Sequence, residues 1–222
     1  MISKSIHSLG LELECGMDRE EYDEFRSRYS ANPRCKIGTD GSVDVADKEM
    51  RGLEIRYWSE DKGEIYQFLH DTYGIGARTN NTCGFHLHVK FTNLQLGLHM
   101  VSTKNYQNEF ISRYKENFPS RKYQDRLKNH YSSWNGFDFG RMLAQEILYY
   151  KDSSRYYAVN INPFKQYKTI EFRIFPYQYN DDEAIKTLEW FLSFNDEMFA
   201  SYNKRKEINA IVDSVKKVKV IK

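Results

Sequence analysis

The sequence predicts an α+β fold, a mainly antiparallel sheet with helices packed on its back, and three observations carry that prediction. Short runs alternate apolar and ionisable residues with a period of two, the pattern of strands buried on one face. They are Leu11-Glu12-Leu13-Glu14, Leu53-Glu54-Ile55-Arg56-Tyr57, Phe85-His86-Leu87-His88-Val89 and Ile170-Glu171-Phe172-Arg173-Ile174. Between them lie segments with apolar residues three and four apart, the spacing of amphipathic helices. These segments are unequal in length and do not follow the regular βαβ alternation that a parallel sheet requires.

A chain of 222 residues is long enough for one well-buried core, and no composition shift marks a second, so residues 1–222 are expected to form a single domain. Hydrophobic residues at 40 % and charged residues at 29 % exclude wholesale disorder. A formal net charge of +2 leaves a nucleic-acid partner unsupported. Cys15, Cys35 and Cys83 have no Cys-x-x-Cys spacing, which argues against a disulfide framework or a thiolate zinc site. The start Met1-Ile2-Ser3-Lys4-Ser5 does not read as a signal peptide and no run approaches a membrane span, so a cytoplasmic protein without a membrane partner is expected.

Taken in order, the first strand around Glu12 leads into a helix over 18–31, whose Asp18-Arg19-Glu20-Glu21 start suits a positive helix N-terminus. Residues 38–42, Gly-Thr-Asp-Gly-Ser, read as a polar turn entering a short alternating run. The strand over 53–57 is followed by Ser59, a candidate cap for a helix with Ile65, Phe68 and Leu69 inward that Gly74 closes. After the His-x-His strand comes a basic region, 102–135, broken by Pro119 and expected to be a solvated helical insertion. A helix over 139–151 with Met142, Leu143, Ile147 and Tyr150 inward precedes a fifth strand over 155–164. Asn180-Asp181-Asp182-Glu183 opens a long helix to about Tyr202 that covers the back of the sheet through Ile185, Leu188, Phe191 and Leu192. The basic tail, 216–222, reads as an edge strand or as disordered chain.

Four strands therefore present Glu12, Glu14, Glu54, Glu171, His86 and His88 on faces that oppose the apolar ones. Any one such pair is ordinarily a solvated strand face, and Glu171 with Arg173 fits a salt bridge. Their joint occurrence is less ordinary, because carboxylates packed together repel unless a cation lies among them. Oxygen-rich ligation with one or two imidazoles fits Mg²⁺ or Mn²⁺ better than structural zinc. Arg56, Arg155 and Arg173 lie on the same strands or begin the fifth, and guanidinium groups beside metal-binding carboxylates suit a phosphate. The face reads as a nucleotide-phosphate platform.

The ordered set Gly-Leu-Glu-Leu-Glu (10–14), Asp-Gly-Ser (40–42), Gly-Leu-Glu (52–54), Gly-Phe-His-Leu-His (84–88), Arg155 and Thr-Ile-Glu-Phe-Arg (169–173) resembles the amidoligase family. That family belongs to the carboxylate-amine ligases typified by glutamine synthetase and glutamate-cysteine ligase. The resemblance implies a curved, glutamine synthetase catalytic-domain-like sheet and ATP-dependent joining of a carboxylate substrate to an amine substrate through an acyl phosphate. It further implies that Glu12, Glu14, Glu54, His86 and Glu171 hold Mg²⁺ or Mn²⁺, and that His88 and Arg56 lie near the nucleotide. Arg155 and Arg173 would bind phosphate, and Asp40 would help deprotonate the amine. Family members are frequently encoded by phages and mobile elements, and their proposed targets include peptides and proteins. The short chain leaves no room for the separate domain with which glutamine synthetase completes a neighbour's site, so a ring-shaped oligomer is not implied.

Other readings stay open at this point. A Gly-x-His-x-His run also opens the metal motif of cupin barrels, although Thr92 and Asn93 stand where those enzymes carry a glutamate. A metal-dependent amidohydrolase is a weaker case, since 222 residues is short for its barrel. A viral or mobile-element binding or structural module that retains the fold without turnover is the non-enzymatic alternative.

Overall fold

A computed structural model of the protein describes residues 1–44, 50–128 and 157–220. Its centre is β1 (Ile6–Met17), a twelve-residue strand paired antiparallel with β3 (Arg51–Ser59) on one side and β4 (Gly84–Phe91) on the other. β2 (Cys35–Thr39) extends the sheet beyond β3, while β6 (Ile170–Pro176) and β5 (Val159–Asn160) extend it beyond β4. Among the described residues the order is β2-β3-β1-β4-β6-β5, every pairing is antiparallel, and β2 and β5 are edges, so the sheet is unclosed. The α+β expectation holds, and an open sheet removes the support for the barrel readings.

Alternation sorts each strand into two faces. Leu9, Leu11 and Leu13 of β1, Leu53 and Ile55 of β3, and Phe85, Leu87 and Val89 of β4 are fully buried on one side. The helices that cover them are α1 (Arg19–Tyr29), α2 (Lys62–Ile75), α3 (Leu94–Ser102), α4 (Lys104–Asn117), α5 (Arg121–Arg126) and α7 (Asp181–Val220), whereas α6 (Phe164–Tyr167) lies at the opposite, polar face. Aromatic rings join the layers. Phe68 of α2 stacks on Tyr57 of β3 at 4.3 Å between centroids, and Phe191 of α7 meets Phe172 of β6 edge-on at 4.8 Å. Each such buried ring stabilises the fold by roughly 1.5–3 kcal/mol relative to an exposed one.

The helix ends follow local chemistry. Asp18 accepts from the Glu21 N–H while Glu21 accepts from the Asp18 N–H, a capping box that starts α1. Ser59 does not cap α2, because it is still in the β1–β3 ladder opposite Leu9. Asp61 takes that role, accepting from the Glu64 N–H at 3.2 Å. The helix also runs past Gly74 to Gly76, whose φ of 129° a side chain would strain. The alternating run expected after the 38–42 turn falls largely on residues 45–49, outside the described residues, and a strand, β2, leads into the turn.

Residues 102–135 are helical where described, but not solvated. Tyr106, Phe110 and Tyr114 of α4, with Phe118 and Tyr123, are buried in the main core, and the Tyr106 hydroxyl donates to Asn195 of α7 at 2.9 Å. The basic residues mask this stripe in the sequence because they occupy the opposite side of the same helix. Within the described part of the fifth strand, Val159 and Asn160 form the ladder with β6, and the Ala158 carbonyl accepts from the Arg173 N–H at 2.8 Å, before the chain turns at Pro163 into α6. The expected helix over 139–151 and Arg155 lie outside the described residues. The last helix buries Leu188, Phe191 and Leu192, leaves Ile185 half-buried, and continues to Val220, so the tail from Lys216 is neither strand nor irregular up to that point.

Candidate active site

The polar face of the sheet forms the floor of a cleft of about 1320 Å³. Small-molecule pockets are typically about 300–1,000 Å³, so this one has room for more than one reactant. Glu12, Glu14, Asp40, Glu54, Arg56, His86, His88, Glu171 and Arg173 all line it. Arg155 lies outside the described residues.

Register explains the convergence. Glu12 stands opposite Arg56 of β3 on one side and His86 of β4 on the other, Glu14 stands opposite Glu54, and His88 stands opposite Glu171 of β6. Residues two apart on four neighbouring strands therefore meet in one patch. A bulge in β6, one extra residue between Phe172 and Phe175 relative to β4, falls beside Arg173 and re-aims the strand at the cleft.

At the centre, His86 is 1 % exposed and Glu12 6 %. The His86 Nδ1 lies 2.8 Å from Glu12 Oε1 and 3.6 Å from Glu171 Oε1, and its Nε2 lies 4.0 Å from Glu14 Oε1. His88 Nε2 lies 3.5 Å from Glu12 Oε2. Burial alone would push the Glu12 carboxyl up, but its pairing with His86 and then with His88 outweighs it and holds the group well below the usual carboxylate range. Glu54 goes the other way. Its burial and then the neighbouring Glu12 raise its pKa, although Arg56 opposes them.

Cations close the ring of acids. Arg56 Nε donates to Glu12 Oε2 at 2.9 Å and its Nη2 pairs with Glu54. Arg173 Nη1 donates to Glu171 Oε1 at 2.5 Å, and Asn160 Nδ2 donates to Glu171 Oε2 at 2.6 Å. Asp40 lies at the cleft wall, where its Oδ1 accepts from the Ser42 N–H and hydroxyl at 2.8 and 2.7 Å.

Two triads could hold a metal ion: Glu12, Glu14 and His86, and Glu12, His88 and Glu171, with ligand atoms within 4.8 Å of one another. Glu54 is in neither, being engaged by Arg56. The fit to a hard divalent ion rests on donor chemistry and on orphaned atoms. The Nε2 atoms of both histidines are buried without a hydrogen-bond partner among the described residues, a costly state unless something binds there. Gly84 preserves this space, since a Cβ at that position would overlap His86 Nε2 and lie 3.1 Å from Glu14 Oε2.

Sequence reasoning missed Asn160 and Arg126. The amide of Asn160 carries no charge signal, although its place on the polar side of the fifth strand was readable. Arg126 was read as part of the solvated insertion, yet it lines the cleft and donates from Nε and Nη2 to the Arg173 carbonyl at 3.3 and 3.1 Å. Burial lowers its pKa, with Glu14 acting in the opposite direction.

Residues 97–195 match the sequence model of a protein family described as "Putative amidoligase enzyme". That stretch is amidoligase-like. It runs from α3 into α7 and carries Asn160, Glu171 and Arg173, so the amidoligase-like part supplies one side of the cleft. Glu12, Glu14, Glu54, His86 and His88 lie outside the matched residues and join that side through the β4–β6 pairing. No curated protein and no solved structure matches the chain. Among the described residues no helix is long and apolar enough to cross a membrane.

Proposed function

We propose that this protein is an ATP-dependent carboxylate-amine ligase that uses Mg²⁺ or Mn²⁺ at the Glu12–His86 centre. The observation that carries the reading is the convergence of Glu12, Glu14, Glu171, His86 and His88 in one cleft with Arg56 and Arg173 bonded to the same carboxylates. The amidoligase match supports the reaction class, and the sheet is compatible with a glutamine synthetase-like catalytic domain.

Glu12, Glu14 and His86 would hold one divalent ion, and Glu12, His88 and Glu171 a second. Such ions would offset the charge that gathers on the phosphate oxygens during transfer. A substrate carboxylate oxygen attacks the γ-phosphorus, the bond to the β–γ bridging oxygen breaks, and ADP leaves with that oxygen. The amine then attacks the acyl carbon, the carbon–oxygen bond to phosphate breaks, and the nitrogen gives up a proton. Arg173 and Arg56 stabilise the phosphoryl oxygens, because guanidinium donors aimed at developing charge act more strongly in a site that excludes water. Asp40, half-buried at the cleft wall, is the base for the amine proton. His86 orients Glu12 through Nδ1 and leaves Nε2 for the ion.

The test is ATP turnover with Mn²⁺ against panels of carboxylates and amines, using hydroxylamine to trap an activated acyl group as a hydroxamate. The reading expects hydroxamate that depends on ATP and is lost in Arg173→Met. Absence of ATP turnover with every carboxylate and amine, in protein that binds Mn²⁺ and ADP, refutes it.

A further inference from the structure

One row of residues across the sheet holds, beside the candidate ligand His88, two residues that take no part in the chemistry above. Trp58 of β3 stands opposite Gly10 of β1, and Gly10 stands opposite His88 of β4. All three line the cleft. Adjacent strands are about 4.8 Å apart, so the indole and the imidazole rise from backbones about 10 Å apart with only a glycine between them. Trp58 is 49 % exposed, although its neighbours on the strand, Tyr57 and Ser59, are buried. The next row of the same three strands is Arg56, Glu12 and His86.

We infer that this gap seats the purine base of the nucleotide, stacked between Trp58 and His88 above Gly10, with its phosphates directed to the Arg56–Glu12–His86 row. The inference rests on the ligase reading and names the part of the cleft that would recognise the base. A lone exposed tryptophan would be unremarkable. Two observations give it direction. The His88 ring lines the open cleft beside Gly10, while its Nε2 lies 3.5 Å from Glu12 Oε2. Gly10 also keeps the slot clear, since a Cβ there would lie 3.1 Å from His88 Cβ. The rim is basic. The Arg34 guanidinium lies 5.6 Å from the Trp58 ring centroid, and Lys36 and Lys90 line the same cleft. Aromatic faces with flanking cations are what a base and its phosphates need together.

The test compares ADP with inorganic tripolyphosphate, which carries phosphates and no base, by calorimetry on the full chain with Mn²⁺. Trp58→Ala should weaken ADP about tenfold or more and leave tripolyphosphate within about twofold, and Trp58→Phe should recover most of the loss. Equal losses for ADP and tripolyphosphate, or ADP affinity unchanged in Trp58→Ala, overturn the base seat while leaving the ligase reading intact. Wild-type protein that binds neither probe overturns both. Trp58-dependent ADP binding without ATP turnover supports the base seat and refutes the ligase reading alone.

Discussion

His86 bonds Glu12 through Nδ1 at 2.8 Å and turns Nε2, buried and without a partner among the described residues, toward Glu14 at 4.0 Å. One nitrogen is fixed by a carboxylate and the other is left with its lone pair or proton unsatisfied. That asymmetry is how a histidine ligand is usually oriented, with the carboxylate setting the tautomer and the opposite nitrogen facing the ion.

Gly84 tests whether that orientation matters. Gly84→Ala places a methyl group on His86 Nε2 and against Glu14, so the imidazole must swing away. Mn²⁺ affinity should fall about tenfold while the circular dichroism spectrum stays that of the wild type.

Asn160 positions Glu171 through its amide nitrogen, while its Oδ1 accepts from the Asn162 N–H at 3.0 Å. Its amide holds Oε2 at 2.6 Å while Arg173 holds Oε1. Asn160→Ala releases one oxygen, and Mn²⁺ affinity measured by calorimetry should drop about tenfold. Asn160→Gln should not restore it, because the longer amide misses that geometry.

How much of this was readable from the residues depends on what each residue advertises. Alternation at 12/14, 54/56, 86/88 and 171/173 exposed the site because charged and apolar side chains on one strand announce their faces. The same logic failed for α4, where Arg113 and Lys115 drew attention from Tyr106, Phe110 and Tyr114 on the buried side. Strand order, the β6 bulge beside Arg173 and the burial of Arg126 depend on contacts between distant segments, which spacing along the chain does not encode. Ser59 failed as a cap for a related reason, since ladder pairing with Leu9 outcompeted a local preference.

Phe110 distinguishes a core helix from a solvated insertion. It is fully buried and packs near Phe172, Phe175 and Trp190. Phe110→Ala should cost about 3–5 kcal/mol in urea unfolding, whereas exposed Lys115→Ala on the same helix should stay within about 0.5 kcal/mol.

Asp196 ties the start of the chain to α7. Its carboxylate accepts from the Ser3 and Ser5 hydroxyls at 2.7 and 2.5 Å and from the Lys4 and Ser5 N–H groups at 3.2 and 2.8 Å. Burial raises its pKa, but the bonds from Ser5 and Ser3 prevail and leave it below its ordinary value of 3.8. A depressed folded-state value means the stabilisation is fully present above pH 3.8 and is lost as pH falls through that lowered value. Asp196→Ala should therefore destabilise by about 1–2 kcal/mol at pH 7. The gap to wild type should close in urea titrations carried out at progressively lower pH, below the ordinary aspartate value.

The proposed divalent-cation centre, with Glu12 shared by both candidate triads, is tested most directly by Mn²⁺ binding followed by electron paramagnetic resonance. With ADP present, wild-type protein should bind Mn²⁺, and Glu12→Gln should bind it about tenfold or more weakly while keeping the circular dichroism spectrum of the folded protein. Equal Mn²⁺ affinity in the two proteins, or no binding by the wild type, would contradict the account.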